Sequence, residues 1–383
     1  MKAYMFPGQG SQFKGMGGDL FDRFKELTKK ANSILGYSIK QLCVEDPRNE
    51  LSKTQFTQPA LYVVNALSYL KKIEETGQTP DFVIGHSLGE FNALLAAECF
   101  DFETGLKLVQ KRGELMRQVS NGGMAAVLNA TKDEIEEVLK ENGLANVYLA
   151  NYNTPSQIVL SGPADEIAKA EKFFQEGKRR YYPLATSGAF HSAFMQEAME
   201  KFREYLKGFD FADQKIPVIA NVTARPYQNN AVLETLSSQI ASTVRWSESI
   251  QYLLALGVSH GEAVEFEEFG PGDVLTKLVY TIKVQTPESV LHQIIKEEQP
   301  DEKVAHEVGN KVENDVPGKL TDAEERVIAW NKMYPIGKKV RSTIADYDDL
   351  ETRTEAVLLF GHRAAVYVKG YNGYFDLNEL TPV

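Results

Sequence analysis

Cysteine is nearly absent: Cys43 and Cys99 are the only two in 383 residues. Without metal-ligand spacing they exclude a disulfide framework and a thiolate metal centre, and they read as buried thiols in a reducing compartment. No apolar run is long enough to span a membrane. Met1-Lys2 leads straight into the strand-like Ala3–Phe6 with no leader pattern, so the expected setting is the cytoplasm. Positive charge is in deficit, with 42 Lys and Arg against 53 Asp and Glu and a net charge of -11. That balance argues against a general nucleic-acid binder, and an acidic partner would have to dock on a local basic patch. Internal repeats and low-complexity blocks are also missing.

What is present is an ordinary globular composition, 43% hydrophobic and 25% charged, in a chain long enough for two to three domains. Strands at Ala3–Phe6 and Phe82–Gly85 alternate with helices at Leu20–Leu35, Gln58–Lys72, Leu88–Cys99 and Glu103–Val119. Such alternation predicts an α/β layer with a mostly parallel sheet. Near Gly122 the texture changes. Strands at Met124–Asn129, Val147–Asn151, Gln157–Ser161 and Arg180–Ala185 interleave with helices at Lys132–Asn142 and Ala164–Gln175. This β-α-β-β-α-β order is the ferredoxin-like pattern. A helix at Ala193–Leu206 and a strand at Pro217–Asn221 return the chain to the first layer.

The expected organisation is therefore an α/β core over residues 1–122 and 190–296 with a ferredoxin-like subdomain inserted over 123–189. An acidic, proline-containing linker follows over 297–319. A small β-rich domain of SH3-like kind occupies 320–383, its hairpin marked by Tyr371-Asn372-Gly373.

Gly85-His86-Ser87-Leu88-Gly89 follows the apolar Phe82–Ile84 and precedes a helical stretch, the strand–turn–helix setting of a nucleophile elbow. The α/β-hydrolase-like core this implies would present the Ser87 hydroxyl at the end of a strand. The Leu88 amide would face a developing oxyanion at the new helix's N-terminus. A serine nucleophile needs a base, and there are only six histidines. His260, His292, His306 and His362 have no surrounding pattern, and the His86 ring points away from the nucleophile's face in an elbow. His191, in Gly188-Ala189-Phe190-His191, remains the candidate base. No acidic residue is an obvious third member, so a backbone carbonyl is expected to orient its ring. The loop Pro7-Gly8-Gln9-Gly10-Ser11-Gln12 lacks a glycine at Phe13 and lacks Gly-Lys-Ser/Thr, so it is not a phosphate loop. Gln9 and its amide are the alternative oxyanion lining, opposite the elbow.

Six segments in order carry a resemblance. They are Phe6–Gln12, Gly85–Glu90, Lys111-Arg112-Gly113, Asn151–Pro155, Gly188–His191 and Phe269–Leu275. Over roughly residues 1–285 the chain resembles malonyl-CoA:acyl carrier protein acyltransferases of fatty-acid and polyketide synthesis. The resemblance implies ping-pong transfer of a malonyl group from malonyl-CoA, as substrate, to the phosphopantetheine thiol of an acyl carrier protein. It implies Ser87 as nucleophile, His191 as base, and the Gln9 and Leu88 amides as oxyanion donors. Arg112 would hold the malonyl carboxylate, although by position alone it reads as a surface arginine on an amphipathic helix. Phe190 resembles the version associated with malonyl rather than methyl-branched units, and Asn153 would support the acyl pocket. The Phe269–Leu275 backbone is expected to approach the His191 ring.

The tail exceeds the family's usual length, as in free-standing acyltransferases that serve polyketide assembly lines, so a polyketide synthase is a further expected partner. Lys178-Arg179-Arg180 is the candidate carrier-docking patch, a solvated turn being its plain alternative. No metal or cofactor is implied. Two other functions fit the same residues: a thioesterase using Ser87 and His191 to release acyl groups to water, and a scaffold that recruits a synthase through the tail.

Overall fold

The computed structural model describes residues 1–298 apart from 187, and 322–382 apart from 343–349, 353, 360–362 and 370–373. All but the first two residues of the expected linker therefore lie outside the described residues, as do the Tyr371-Asn372-Gly373 turn, His306 and His362. The chain divides into two compact units, Met1–Pro300 and Asp301–Val383. None of the described helices is long and apolar enough to cross a membrane.

The first unit opens with β1 (Lys2–Phe6), α1 (Leu20–Arg23), α2 (Lys25–Leu35), α3 (Ile39–Val44) and the long α4 (Thr54–Thr76). Next come β2 (Phe82–Gly85), α5 (Gly89–Ala96) and α6 (Phe102–Met116). A second layer follows with β3 (Gly122–Leu128), α7 (Lys132–Glu141), β4 (Tyr148–Thr154), β5 (Gln157–Pro163), α8 (Ala164–Ala170) and β6 (Arg180–Pro183). The return half holds α9 (Gln196–Leu206), β7 (Val218–Ile219), α10 (Val232–Ser238), α11 (Trp246–His260), β8 (Glu265–Glu268), α12 (Val274–Gln285) and α13 (Glu288–Glu298).

The main sheet is parallel throughout, in the order β7-β2-β1-β8. Helices cover both faces, which is why β1 and β2 are continuous apolar runs rather than alternating ones. Tyr4, Phe6 and Val83 face the core built by α4, α5, α6 and α9. Ala3, Met5 and Ile84 face Trp246, Ile250 and Leu253 of α11 and Leu275 of α12. The second sheet is antiparallel, in the order β4-β5-β3-β6. Its helix α7 starts with a capping box, Thr131 and Glu134 each bonding the other's backbone.

The expected helix Leu20–Leu35 is two helices. Phe24 leaves the helical region at φ -106° and ψ 53°, and the Thr28 hydroxyl bridges the break, lying 3.0 Å from both the Phe21 and the Phe24 carbonyl oxygens. Helix α4 starts a turn earlier than expected, with Pro59 inside it, and α3 is a short helix that hydrophobic periodicity did not mark. The expected strand Pro217–Asn221 pairs only at Val218 and Ile219. Helix α13 runs through Glu297 and Glu298, so the linker's first residues are helical.

Among the described residues the first element of the second unit is a helix, α14 (Asp322–Met333), and not a strand. Its Ala, Glu and Arg content suits a helix, and its Trp330 is buried in that unit's core. The strands β9 (Lys339–Ser342), β10 (Leu350–Glu351), β11 (Val357–Leu359), β12 (Arg363–Tyr367), β13 (Tyr374–Asp376) and β14 (Leu380–Pro382) follow. They form two antiparallel three-stranded sheets, β10-β9-β14 and β11-β12-β13.

Met5 has no exposed surface and its neighbours on both sides are equally enclosed. The Met5→Ala substitution is expected to lower unfolding free energy by about 2–5 kcal/mol. Urea denaturation with an unchanged slope checks this; a loss below about 1 kcal/mol would show that the sheet centre collapses around the gap.

Candidate active site

At the carboxyl end of β2 the chain must reverse into α5 within four residues. Ser87 takes the left-handed φ of 51° that this demands. A β-carbon at Gly89 would lie 1.9 Å from the Phe6 carbonyl oxygen, so only glycine lets α5 pack against the end of β1. Two side chains hold the turn. Asn221, just past β7, accepts from the Ser87 amide at 2.7 Å and donates to the Gly85 carbonyl at 2.7 Å. Gln239, just past α10, donates to the Ser87 carbonyl at 2.8 Å. With the Ser87 amide engaged, the Leu88 amide is the next one free to face an oxyanion.

His191 also sits at positive φ, 57°, and is 5% exposed. Its Nε2 lies 2.8 Å from the Ser87 Oγ, and its Nδ1 lies 2.9 Å from the Gln239 carbonyl oxygen. A carbonyl can only accept, so Nδ1 carries the proton and Nε2 presents a lone pair to the serine hydroxyl. Burial, and then the Arg112 charge, pull the ring's pKa down to about 3. The imidazole is therefore neutral at any working pH. The expectation of a backbone carbonyl as the ring's partner holds, but the carbonyl is Gln239's and not one from Phe269–Leu275. That segment follows β8 and packs where β1 ends, with Gly270 against Pro7 and Asn65.

Arg112 is not the surface arginine that its position on α6 alone suggests: it is 1% exposed. Nη1 donates to Gln58 Oε1 at 2.8 Å, and Nη2 donates to Gln239 Oε1 at 2.9 Å and to the Ser87 Oγ at 3.1 Å. Nε is buried without a partner, and the guanidinium stands 5.7 Å from the centre of the Phe91 ring. Burial pulls its pKa down to about 10, opposed by the Glu90 carboxyl, so it keeps its charge. Glu90 is fully enclosed at the start of α5. It accepts from Gln239 Nε2 at 2.9 Å, from the Asn221 amide at 3.1 Å and from the Tyr227 hydroxyl.

Phe190 and Gln9 line one cleft of about 330 Å³ together with Met116, Arg117 and Thr186. A β-carbon at Gly8 would lie 2.3 Å from the His86 carbonyl oxygen, so the Gln9 loop sits directly on the elbow. Asn153 is engaged elsewhere: its Oδ1 accepts from His86 Nε2 at 2.8 Å, and the His86 ring packs 5.5 Å from that of Trp246. Lys178 and Arg179 share their groove with Glu134, Glu137, Glu141 and Glu176, so their charge is locally offset. Arg180 spends its guanidinium on the Gly177 and Arg179 carbonyls. No trio of His, Cys, Asp and Glu among the described residues could hold a metal ion.

Sequence reasoning missed Gln58, Asn221, Tyr227 and Gln239. Glu90 had a signal, a carboxylate in the helix Gly89–Ala96, which is otherwise apolar apart from Asn92; nothing in the chain marks Gln239. Because the Arg112 charge helps hold the His191 pKa down, Arg112→Met is expected to raise it. The acid limb of Ser87 labelling by a fluorophosphonate then moves to higher pH; an unmoved limb would leave burial as the sole cause.

Residues 3–265 match the acyl transferase domain family. The chain is 57% identical over 285 residues to the polyketide biosynthesis malonyl CoA-acyl carrier protein transacylase PksC of Bacillus subtilis, covering 74% of this chain and 97% of that protein. It is 52% identical over 291 residues to the corresponding transacylase BaeC of Bacillus velezensis, covering 76% and 99%. Among solved structures, malonyl CoA-acyl carrier protein transacylase from Burkholderia pseudomallei is 63% identical and superimposes with a TM-score of 0.74 over 75% of this chain and 99% of that one. A type II polyketide synthase malonyl-transacylase, solved with its acyl carrier protein, is 31% identical with a TM-score of 0.69, covering 78% and 99%. With its nucleophile elbow and buried arginine in place, and relatives matched almost end to end, the chain belongs to the acyl transferase domain family.

Proposed function

We propose that the protein transfers malonyl groups from malonyl-CoA to the phosphopantetheine thiol of an acyl carrier protein serving polyketide synthesis. The observation that carries this reading is Arg112, a buried and charged guanidinium 3.1 Å from the Ser87 hydroxyl with one donor still unpartnered. A cation there suits an acyl group ending in a carboxylate and is wasted on a neutral one.

In the proposed reaction Ser87 Oγ attacks the thioester carbonyl while His191 Nε2 takes its proton. The oxyanion develops toward the Leu88 amide and the Gln9 loop. Collapse breaks the carbon–sulfur bond, and the His191 proton leaves with the CoA thiol. The malonyl ester's carboxylate rests on Arg112. The carrier's thiol then enters by the same steps in reverse, and the ester bond to Ser87 breaks. Phe190 beside the cleft limits room at the acyl α-carbon, a discrimination worth about 1–3 kcal/mol against a methyl branch. Asn153 supports the pocket indirectly, by fixing the His86 ring beneath the elbow. No cofactor takes part in these steps.

The parallel order β7-β2-β1-β8 with its elbow supports reading the core as α/β-hydrolase-like. The order β4-β5-β3-β6 supports a ferredoxin-like insertion over residues 123–189. The family match ends at residue 265 and the matches to PksC and BaeC cover 74% and 76% of this chain, which supports reading 320–383 as an added synthase-docking module. Lys178, Arg179 and Arg180 are poor carrier contacts on this reading, given the four glutamates beside the first two.

Intact mass after incubation with malonyl-CoA is expected to show one malonyl adduct that moves to added carrier protein. Ser87→Ala abolishes it, and His191→Ala slows its formation by about 100-fold or more. Arg112→Ala is expected to cost about 3 kcal/mol in kcat/KM for malonyl-CoA. Steady CoA release with no adduct would instead identify a thioesterase.

A further inference from the structure

Glu90 takes no part in the steps above, yet a carboxylate with no exposed surface is costly unless its charge has work to do. It touches no cation directly. Between it and Arg112 lies the Gln239 side chain, whose Nε2 donates to Glu90 and whose Oε1 accepts from Arg112, each at 2.9 Å. Glu90 is acceptor-only when ionised and Arg112 is donor-only, so the two groups dictate which way the Gln239 amide points. The same residue's carbonyl holds His191 Nδ1, and its Nε2 holds the Ser87 carbonyl.

We propose that Glu90 is a positioning residue that supplies, through Gln239, the counter-charge to Arg112 in the unacylated enzyme. It yields that part by taking up one solvent proton when a carboxylate-bearing acyl group docks on Arg112. The step forms one carboxyl O–H bond on Glu90 and breaks one O–H bond in the hydronium ion or buffer acid that supplies the proton, and no bond of the protein breaks. The inference rests on the malonyl reading of the site. Its physical basis is that a second carboxylate brought beside one buried cation raises the pKa of the first, so that one of the two takes up a proton.

The charged and titratable groups facing Glu90 are Arg112 from α6 and Tyr227 from the segment after β7, with Cys99 beyond Tyr227 and His191 beyond Arg112. Burial pushes the Glu90 carboxyl up to about 7, opposed by the bonds from Tyr227 and Gln239, then the Asn221 amide, and by the Arg112 charge. Below that pH the protonated enzyme accepts the malonyl carboxylate readily; above it the rival charge must first be neutralised. KM for a malonyl thioester therefore rises as pH increases through the Glu90 pKa, whereas KM for an acetyl thioester has no reason to.

The test uses the full chain and the malonyl and acetyl thioesters of N-acetylcysteamine, which carry no titrating phosphate, with Ser87 acylation followed from pH 5.5 to 8.5. The ratio of malonyl to acetyl KM is expected to rise about tenfold per pH unit at most. In Glu90→Gln the ratio is expected to stay within about twofold over the same range. Tyr227→Phe removes a donor that favours the carboxylate, so its break moves to higher pH, and this variant keeps the test open if Glu90→Gln fails to fold. A pH-dependent ratio that survives Glu90→Gln, or a break unmoved by Tyr227→Phe, overturns the inference while leaving the malonyl reading intact. Failure of the unaltered protein to form any malonyl adduct overturns both.

Discussion

A guanidinium with almost no solvent contact governs the arrangement around it. Removing a charge from water costs several kcal/mol even after relaxation, and Arg112 meets that cost with side-chain oxygens rather than a direct ion pair. Gln58, Gln239 and Ser87 accept from it, and Phe91 lies beneath it. A carboxylate in direct contact would have neutralised it and closed it to any anionic ligand. Glu90 stands one amide away instead, which on the malonyl reading leaves the arginine open to an anionic ligand. His191 is kept neutral first by its own burial and then by this neighbouring cation, which penalises a second charge on the ring.

The elements that place this group come from four separate stretches. Ser87 and Glu90 belong to the turn into α5, Arg112 to α6, Asn221 to the end of β7 and Gln239 to the end of α10. The parallel sheet sets β1, β2 and β7 side by side with their carboxyl ends together, where open α/β sheets present their ligands. The antiparallel layer then returns the chain at Phe190 and His191, so that the His191 ring and the Ser87 hydroxyl, 104 residues apart in sequence, meet at 2.8 Å.

Much of this was legible in the chain before any fold was known. The β1 and β2 strands are apolar because both their faces are covered, and the elbow declares itself because a strand can turn into a helix that sharply only beside glycine. His191 was found by elimination among few histidines. Arg112 was readable only through resemblance; its helix shows amphipathic periodicity, which says which side is apolar and not that a charge sits inside. Gln239 and Asn221 escaped for a different reason. Their contacts depend on where α10 and β7 end in space, and amides give no periodic or compositional signal. The split of Leu20–Leu35 at Phe24 escaped because a side-chain hydroxyl from the next turn stabilises the break. Helix α14 escaped because the strand-rich residues after it dominated the reading of the tail.

The partner of His191 Nδ1 is a carbonyl, not a carboxylate, and this bears on the lifetime of an acyl-enzyme. A triad aspartate stabilises the imidazolium that forms when the histidine accepts a proton; the Gln239 carbonyl offers a dipole where an aspartate would offer a full charge. A base so weakly supported selects nucleophiles by their acidity. A thiol, ordinarily with a pKa of about 8.5, asks little of it, while water, at about 15.7, asks far more. On the acyltransferase reading, the missing third acid makes the ester slow toward solvent and still ready for sulfur.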